Sequence, residues 1–151
     1  MGFFDDVKAR YQEVSANIAK EVGKFKNRKF MEAAVASSVL ITYADGQARP
    51  EEKQGMLQFF RTSDAMKHFD AQEVKTLYET YCAKVADDFD FGKMDLMQVV
   101  GKLRGQEAES RALVRLCIII GNKDGDFDQR EKEVAREIAR DLKLDPTEFG
   151  L

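Results

Sequence analysis

Residues 122–131 are the stretch of this sequence whose residue types and spacing could do chemistry. They read Asn-Lys-Asp-Gly-Asp-Phe-Asp-Gln-Arg-Glu, so Asp124, Asp126 and Asp128 alternate with spacers and Glu131 follows one helical turn later. Closely spaced carboxylates supply the oxygen ligands that hard cations such as Ca²⁺, Mg²⁺ and Mn²⁺ prefer. The stretch therefore predicts a divalent-cation site with these four acids as candidate ligands.

A weaker copy of this stretch occurs earlier in the chain. Residues 44–52 read Ala-Asp-Gly-Gln-Ala-Arg-Pro-Glu-Glu, and the two copies are in register because 124 − 45 = 79 and 131 − 52 = 79. Asp45 and Glu52 are thus the candidate ligands of a first acidic loop. Gln47 and Arg49 stand where the second loop has two further aspartates, so we expect cation binding chiefly at the second loop.

The second loop shares the alternating aspartates of an EF-hand but not the rest of that motif. Counted from Asp124, the sixth position is Gln129 where glycine is required, and the twelfth is Ala135 where glutamate is required. Counted from Asn122, the glycine position is Phe127. The loop is therefore not an EF-hand.

Helix capping explains part of the pattern without any ligand. A glycine follows the first acid of each loop and fits a helix C-cap, and Asp128 with Glu131 has the spacing of a capping box. Capping does not explain Asp45 and Asp124, because an acid at a helix C-terminus faces the negative end of the helix dipole at a cost of roughly 0.3–1 kcal/mol. Three interpretations stay open: a cation site, capping alone, and an acidic patch that docks a basic partner.

Apolar residues at three- and four-residue spacing predict helices on both sides of each acidic loop. The predicted helices cover approximately 3–22, 30–43, 50–63, 70–85, 93–104, 107–121 and 129–142, with a turn at 87–92 and a short last turn at Pro146. Residues 107–121 resemble 28–42 shifted by 79 positions. The sequence therefore predicts an all-α fold, a compact bundle of about seven helices with two pseudo-symmetric helix–loop–helix units.

Composition and charge limit the classes of function. The 151 residues fit one soluble globular domain over 1–151, without a membrane-length apolar run or signal-peptide pattern, so we expect a cytoplasmic protein. Residues 1–29 carry seven basic and four acidic groups, a net of +3, and the remainder carries a net of −6. The acidic body argues against nucleic acid as a partner. We expect the basic amphipathic helix in residues 1–22 to pack on or beside the domain; a partner helix or an anionic membrane is the alternative.

Cys82, Cys117 and His68 are the remaining candidates for chemistry. One histidine and two distant cysteines cannot supply a zinc site of the usual Cys/His type. A nucleophile–histidine catalytic set would require His68 to meet a nucleophile. Both cysteines lie among apolar residues at helical spacing, so we predict buried, reduced thiols.

Motifs along the whole chain carry a family resemblance. They are the opening Gly-Phe-Phe-Asp, the Lys-Phe-Lys-Asn-Arg-Lys-Phe-Met of residues 24–31, the two acidic loops, and the closing Asp-Pro-Thr-Glu-Phe-Gly-Leu. Together they resemble the bacterial TerB tellurite-resistance proteins. The resemblance implies an all-helical fold, a place in the tellurite- and stress-resistance system near the membrane partner TerC, and divalent-metal binding at Asp45, Glu52, Asp124 and Glu131.

Three functional hypotheses follow. The preferred one is a non-enzymatic module that binds a divalent cation, a partner protein or both through the paired acidic loops, at the inner face of the inner membrane. The second is a metal-free scaffold whose acidic face and basic N-terminal helix each hold a partner. The third is an enzyme that processes tellurite through Cys82 or Cys117, which requires an accessible thiolate of low pKa.

Overall fold

The computed structural model describes residues 28–44, 58, 70–122 and 127–151, and the architecture below concerns these residues. They form five α-helices and one short 3-10 helix, with no strand in the described part. The helices are α1 (Arg28–Thr42), α2 (Ala71–Asp87), α3 (Phe89–Gly101), α4 (Glu107–Gly121) and α5 (Gln129–Asp141), and the 3-10 helix is Pro146–Phe149. The predicted all-α class is confirmed over this part of the chain.

Helix α1 lies at the centre of the bundle. Twelve of its 15 residues are buried, and it packs against α2, α3, α4 and α5. Its alanines at 33, 34 and 36 are fully buried, so it has almost no face left for solvent. A helix that is apolar on nearly all sides is stable only inside a core, where neighbours cover every face.

Helix α4 is the counterpart of α1 by position and length. Both have 15 residues, and their first and last residues differ by the same offset, since 107 − 28 = 79 and 121 − 42 = 79. The run Ile118–Ile120, which composition alone could assign to a strand, is helical. The predicted helices at 3–22 and 50–63 lie outside the described residues, so the count of about seven and the two pseudo-symmetric units stay predictions.

The junction between α2 and α3 differs from the predicted turn at 87–92. Only Asp88 separates the two helices: its backbone N–H donates to the Lys84 carbonyl (3.3 Å), and its side chain accepts the Phe91 N–H (3.0 Å). The predicted start at residue 93 is therefore wrong, because an Asp- and Gly-containing run that looks like a turn is a cap followed by the first helical turn. Helix α3 also ends earlier than predicted, at Gly101.

Gly92 shows why this junction is so tight. A Cβ atom on Gly92 would lie 2.6 Å from the Lys84 carbonyl oxygen and 2.7 Å from the Val85 Cα. Both are backbone atoms of α2, so the first turn of α3 crosses the last turn of α2 without room for a side chain. The glycine is required by helix packing, not by a turn.

The described helices are too short or too polar to cross a membrane.

Candidate functional site

Two of the six predicted ligands lie in the described part of the chain. Asp128 and Glu131 are both half-buried at the start of α5. Asp45, Glu52, Asp124 and Asp126 lie outside the described residues, as does His68.

Asp128 and Glu131 form the predicted capping box. The Glu131 N–H donates to Asp128 Oδ1 at 2.9 Å, and the Asp128 N–H donates to Glu131 Oε1 at 3.4 Å. These bonds satisfy backbone donors that the first turn of a helix leaves without helical partners.

Contacts on both sides fasten the ends of the second acidic loop. At the end of α4, the Asn122 side-chain Nδ2 donates to the Ile118 carbonyl at 3.0 Å. At the start of α5, the Phe127 ring packs so closely on Gly121 that a Cβ there would lie 2.0 Å from two ring atoms. Lys132 Nζ lies 5.9 Å from the centre of the same ring. Gly121 and Phe127 therefore meet, and residues 122–126 connect them.

Tyr43, just before the first acidic loop, belongs to a cluster that sequence analysis did not find. A cavity of about 210 Å³ is lined by Tyr43, Tyr78 and Cys82, together with residues of α2. Burial raises the pKa of Tyr43 to about 12, with Cys82 as a further cause, and burial raises the pKa of Tyr78 further still. Only the Tyr78–Cys82 spacing of four residues, one helical turn, could have signalled it.

Neither cysteine forms a disulfide and both are buried, as predicted. Cys117 on α4 is 0% exposed and Cys82 on α2 is 5% exposed. Burial raises the pKa of the Cys117 thiol to about 12. A thiol in this environment stays protonated near neutral pH and is a poor nucleophile.

The described side chains do not by themselves assemble a metal site. Over residues 28–44, 70–122 and 127–151, no three His, Cys, Asp or Glu side chains lie where they could share an ion. Four of the six predicted ligands lie elsewhere in the chain, so the cation site stays a prediction.

The comparison with protein families defines the class of this protein. The family described as "Tellurite resistance protein TerB" matches residues 31–151. The chain therefore belongs to the TerB family, and the resemblance inferred from its motifs is confirmed. The opening Gly-Phe-Phe-Asp lies before the matched region.

A particular relative gives the same result. "Tellurium resistance protein TerB" of Alcaligenes sp. is 32% identical over 118 residues, which cover 78% of this chain and 97% of the relative. Both descriptions name a resistance phenotype and no reaction. No solved structure matches the chain.

Proposed function

We propose that this TerB-family protein is a non-enzymatic tellurite- and stress-resistance module that binds a divalent cation, a partner protein or both through its two acidic loops. The observation that carries the proposal is the fastening of the second loop at both ends. Gly121 and Phe127 are in contact, and the capping box fixes the start of α5. Asp124 and Asp126 thus belong to the five residues, 122–126, that join two residues in contact, so the ends of the loop are already held together before a ligand binds.

The negative charge of the second acidic loop favours a positively charged ligand. Three aspartates occur within residues 124–128. The capping box directs one oxygen of Asp128 to the N-terminus of α5, where the helix dipole favours negative charge. Asp124 follows the C-terminus of α4 by three residues, where the dipole disfavours an acid, and Asp126 adds a like charge beside it in the sequence, so a cation or a basic group would relieve the repulsion. The proposed ligands are Asp124, Asp126, Asp128 and Glu131 in this loop and Asp45 and Glu52 in the first, for Ca²⁺, Mg²⁺ or Mn²⁺.

The cysteines argue against an enzyme that works through a thiol. A tellurite-processing thiol would have to be ionised and reachable, whereas Cys117 is fully buried with a pKa raised to about 12. Cys82 is also buried, beside two tyrosines. These observations support the non-enzymatic hypothesis.

A metal-free scaffold is the second candidate, and the capping box favours it. Asp128 and Glu131 already have a structural role that needs no ion. In the scaffold hypothesis, the acidic loops bind a basic segment of a partner protein. A TerC-like membrane protein is the candidate partner. The basic N-terminal helix would contact a further partner or the inner face of the inner membrane from the cytoplasm.

The decisive experiment is a cation titration of the isotopically labelled full chain. Ca²⁺, Mg²⁺ or Mn²⁺ at millimolar concentration should shift, or for Mn²⁺ broaden, the amide signals of Asn122 and Phe127–Glu131. An Asp45→Asn/Asp124→Asn variant should lose this response. The matched control is Asp87→Asn/Asp90→Asn, which removes the same charge from exposed positions at the α2–α3 junction.

Either of two results would decide against the cation. If no signal near the second loop responds at millimolar concentration, the loop does not bind the ion. If both double variants respond like the natural chain, binding does not involve Asp45 or Asp124. The scaffold hypothesis would be supported if the loop shows no response to cations but is required for co-purification of a TerC-like protein.

A further inference from the structure

Helix α3 exposes large apolar side chains that nothing in the described chain covers. Among the described residues, the large apolar side chains that are exposed are Phe89 (38%), Phe91 (70%) and Met94 (59%), all within the first six residues of α3. Phe91 and Met94 are three positions apart and so share one face of the helix. Exposed apolar side chains that cluster on one helix face can mark an interaction site.

Met94 also lines a groove beside α5. The groove has a volume of about 460 Å³, and its lining includes Met94, Met97, Asp90 and Arg104. Unbranched methionine side chains adapt their shape to a bound surface, which suits them to partner recognition. Phe91 and Met94 at the surface and Met97 deeper in form an apolar strip along the helix axis.

Two ion pairs hold the walls of this groove in place. Lys93 Nζ on α3 lies 2.7 Å from Glu137 Oε2 on α5. After α3, Arg104 Nη2 lies 3.0 Å from Asp141 Oδ1, and Arg104 Nε donates to the Asp141 carbonyl at 2.7 Å. The groove is thus formed before any partner arrives, which limits the ordering cost of binding.

The groove lining is charge-balanced, with Asp90 and Asp141 against Lys93 and Arg104, whereas the segment around the apolar strip is acidic. Residues 84–98 contain two basic and four acidic side chains, so the net charge is 2 − 4 = −2. Both lysines of this segment lie near acids, since Lys93 pairs with Glu137 and Lys84 Nζ lies 3.7 Å from Asp95 Oδ2. Asp87 and Asp90 are exposed and have no ion-pair partner among the described residues. This rim would attract Lys and Arg and would repel an anionic membrane surface.

From these observations we propose that the exposed face of α3 that carries Asp90, Phe91, Met94 and Met97, together with Asp87 at the end of α2, is a docking surface for a basic amphipathic helix of a partner protein. The apolar strip takes the partner's side chains at i, i+3, i+4 and i+7 spacing, and the acidic rim pairs with its flanking Lys or Arg. This surface is separate in sequence from both acidic loops, so it adds a second binding function to the protein.

The test uses the full chain and two designed peptides. The probe is a fluorescein-labelled amphipathic peptide of about 18 residues, long enough to form a helix on binding, with leucines at i, i+3, i+4 and i+7 spacing and lysines elsewhere. The control peptide has glutamate in place of every lysine. Fluorescence anisotropy should show binding of the basic peptide, weakening with salt, and no binding of the acidic one.

Variants assign the binding to the α3 face. Phe91→Ser/Met94→Ser should lower the affinity for the basic peptide at least about tenfold, as the removal of central apolar anchors does. Asp87→Asn/Asp90→Asn should weaken it and reduce its salt dependence. Glu79→Gln, a charge loss at an exposed position of α2, should leave the affinity unchanged. Asp124→Asn should also leave it unchanged, which separates this surface from the proposed loop function.

A photo-reactive benzoylphenylalanine in place of Phe91 identifies the occupant. Crosslinks to the basic peptide support the proposal. Crosslinks to a second copy, or to residues 1–27 of the same chain, would overturn it, because this face would then be covered by the protein itself. Equal binding of the acidic peptide, undiminished binding to Phe91→Ser/Met94→Ser, or adsorption to phosphatidylserine vesicles through Phe91 would overturn it as well.

Discussion

Asp128 is a residue with a demonstrated structural role and a proposed binding role. Its Oδ1 accepts the Glu131 N–H at 2.9 Å and so caps α5. The proposed cation would need an oxygen of the same carboxylate. Because a capping bond tolerates an amide oxygen whereas a cation prefers a charged ligand, substitutions at this position can separate the two roles.

Asp128→Ala should lower the free energy of unfolding by about 1 kcal/mol, the usual cost of losing an Asp N-cap. Asp128→Asn should remain near the natural stability, since asparagine caps as well as aspartate. Urea denaturation of both variants measures the difference. If Asp128→Asn is as unstable as Asp128→Ala, the charge of Asp128 and not its capping bond is what stabilises α5. Loss of the amide response to cations in Asp128→Asn would add Asp128 to the ligands.

Cys117 permits a prediction about thiol chemistry. Its folded pKa, about 12, lies above that of an unfolded cysteine because burial disfavours the thiolate. The stabilisation from keeping this thiol neutral is therefore fully present below the unfolded pKa and is lost as the pH rises towards 12. At pH 8 a thiol reagent should label neither Cys117 nor Cys82 in the native chain and both in denaturant, as followed by mass spectrometry. Rapid native labelling of either cysteine would reopen the thiol-enzyme hypothesis.

At the scale of elements, the α2–α3 crossing depends on Gly92. Gly92→Ala places a methyl group 2.6 Å from the Lys84 carbonyl oxygen, and backbone cannot move aside as a side chain can. We expect a loss of about 1–3 kcal/mol in the free energy of unfolding, typical of overpacking. Gly101→Ala is the matched control, because its nearest obstacle is the flexible Arg104 side chain at 2.8 Å. Equal effects in urea denaturation would contradict the packing explanation.

The junction of α4 and α5 depends in the same way on Gly121. A methyl group at this position would lie 2.0 Å from the Phe127 ring, so Gly121→Ala should displace the ring and shift the amide signals of residues around the second acidic loop. It should also destabilise the chain. Phe127→Ala in the Gly121→Ala background should cost less than Phe127→Ala alone, because the clash is then absent. Additive effects in this double-mutant cycle would show that the Gly121–Phe127 contact does not fasten the loop.

At the scale of the whole molecule, cation binding should appear as thermal stabilisation. A ligand that binds only the folded chain adds about 2.7 kcal/mol at one hundred times its Kd. For a protein of this size, that corresponds to a rise in Tm of roughly 5–10 °C. Differential scanning fluorimetry with Ca²⁺, Mg²⁺ or Mn²⁺, against equal ionic strength of NaCl, measures it, and Asp124→Asn should reduce the rise. An unchanged Tm with all three ions would leave the metal-free scaffold as the function.

Much of the fold could be predicted from the sequence, and the errors have a common cause. Helices α1, α2, α4 and α5 begin and end within about two residues of their predicted limits, because periodicity and capping are local properties. The turn predicted at 87–92 was wrong because a glycine beside aspartates has the same composition in a turn and in a close helix crossing. Only the position of α2 shows that Gly92 serves the second purpose.

The candidate site was predictable to a similar extent. The capping box of Asp128 and Glu131 follows from their spacing and is confirmed. The cluster of Tyr43, Tyr78 and Cys82 was not foreseen, because Tyr43 is far in sequence from the other two and the three meet only through the packing of α1 on α2. The exposed face of α3 could not be predicted for a related reason: Met94 and Met97 have the spacing of an apolar helix face whether or not a neighbour covers it, and Met94 is 59% exposed.

By itself, the sequence determined the helical class, the caps, the paired acidic loops and the family, because each of these features depends on residue types at short or fixed spacing. The tertiary structure alone decided which apolar face of α3 stays uncovered, how closely α3 crosses α2, and that Phe127 meets Gly121. These depend on which helices become neighbours and at what distance. Hydrophobic periodicity shows that a helix has an apolar face, but only the packing of the other helices shows whether that face is covered.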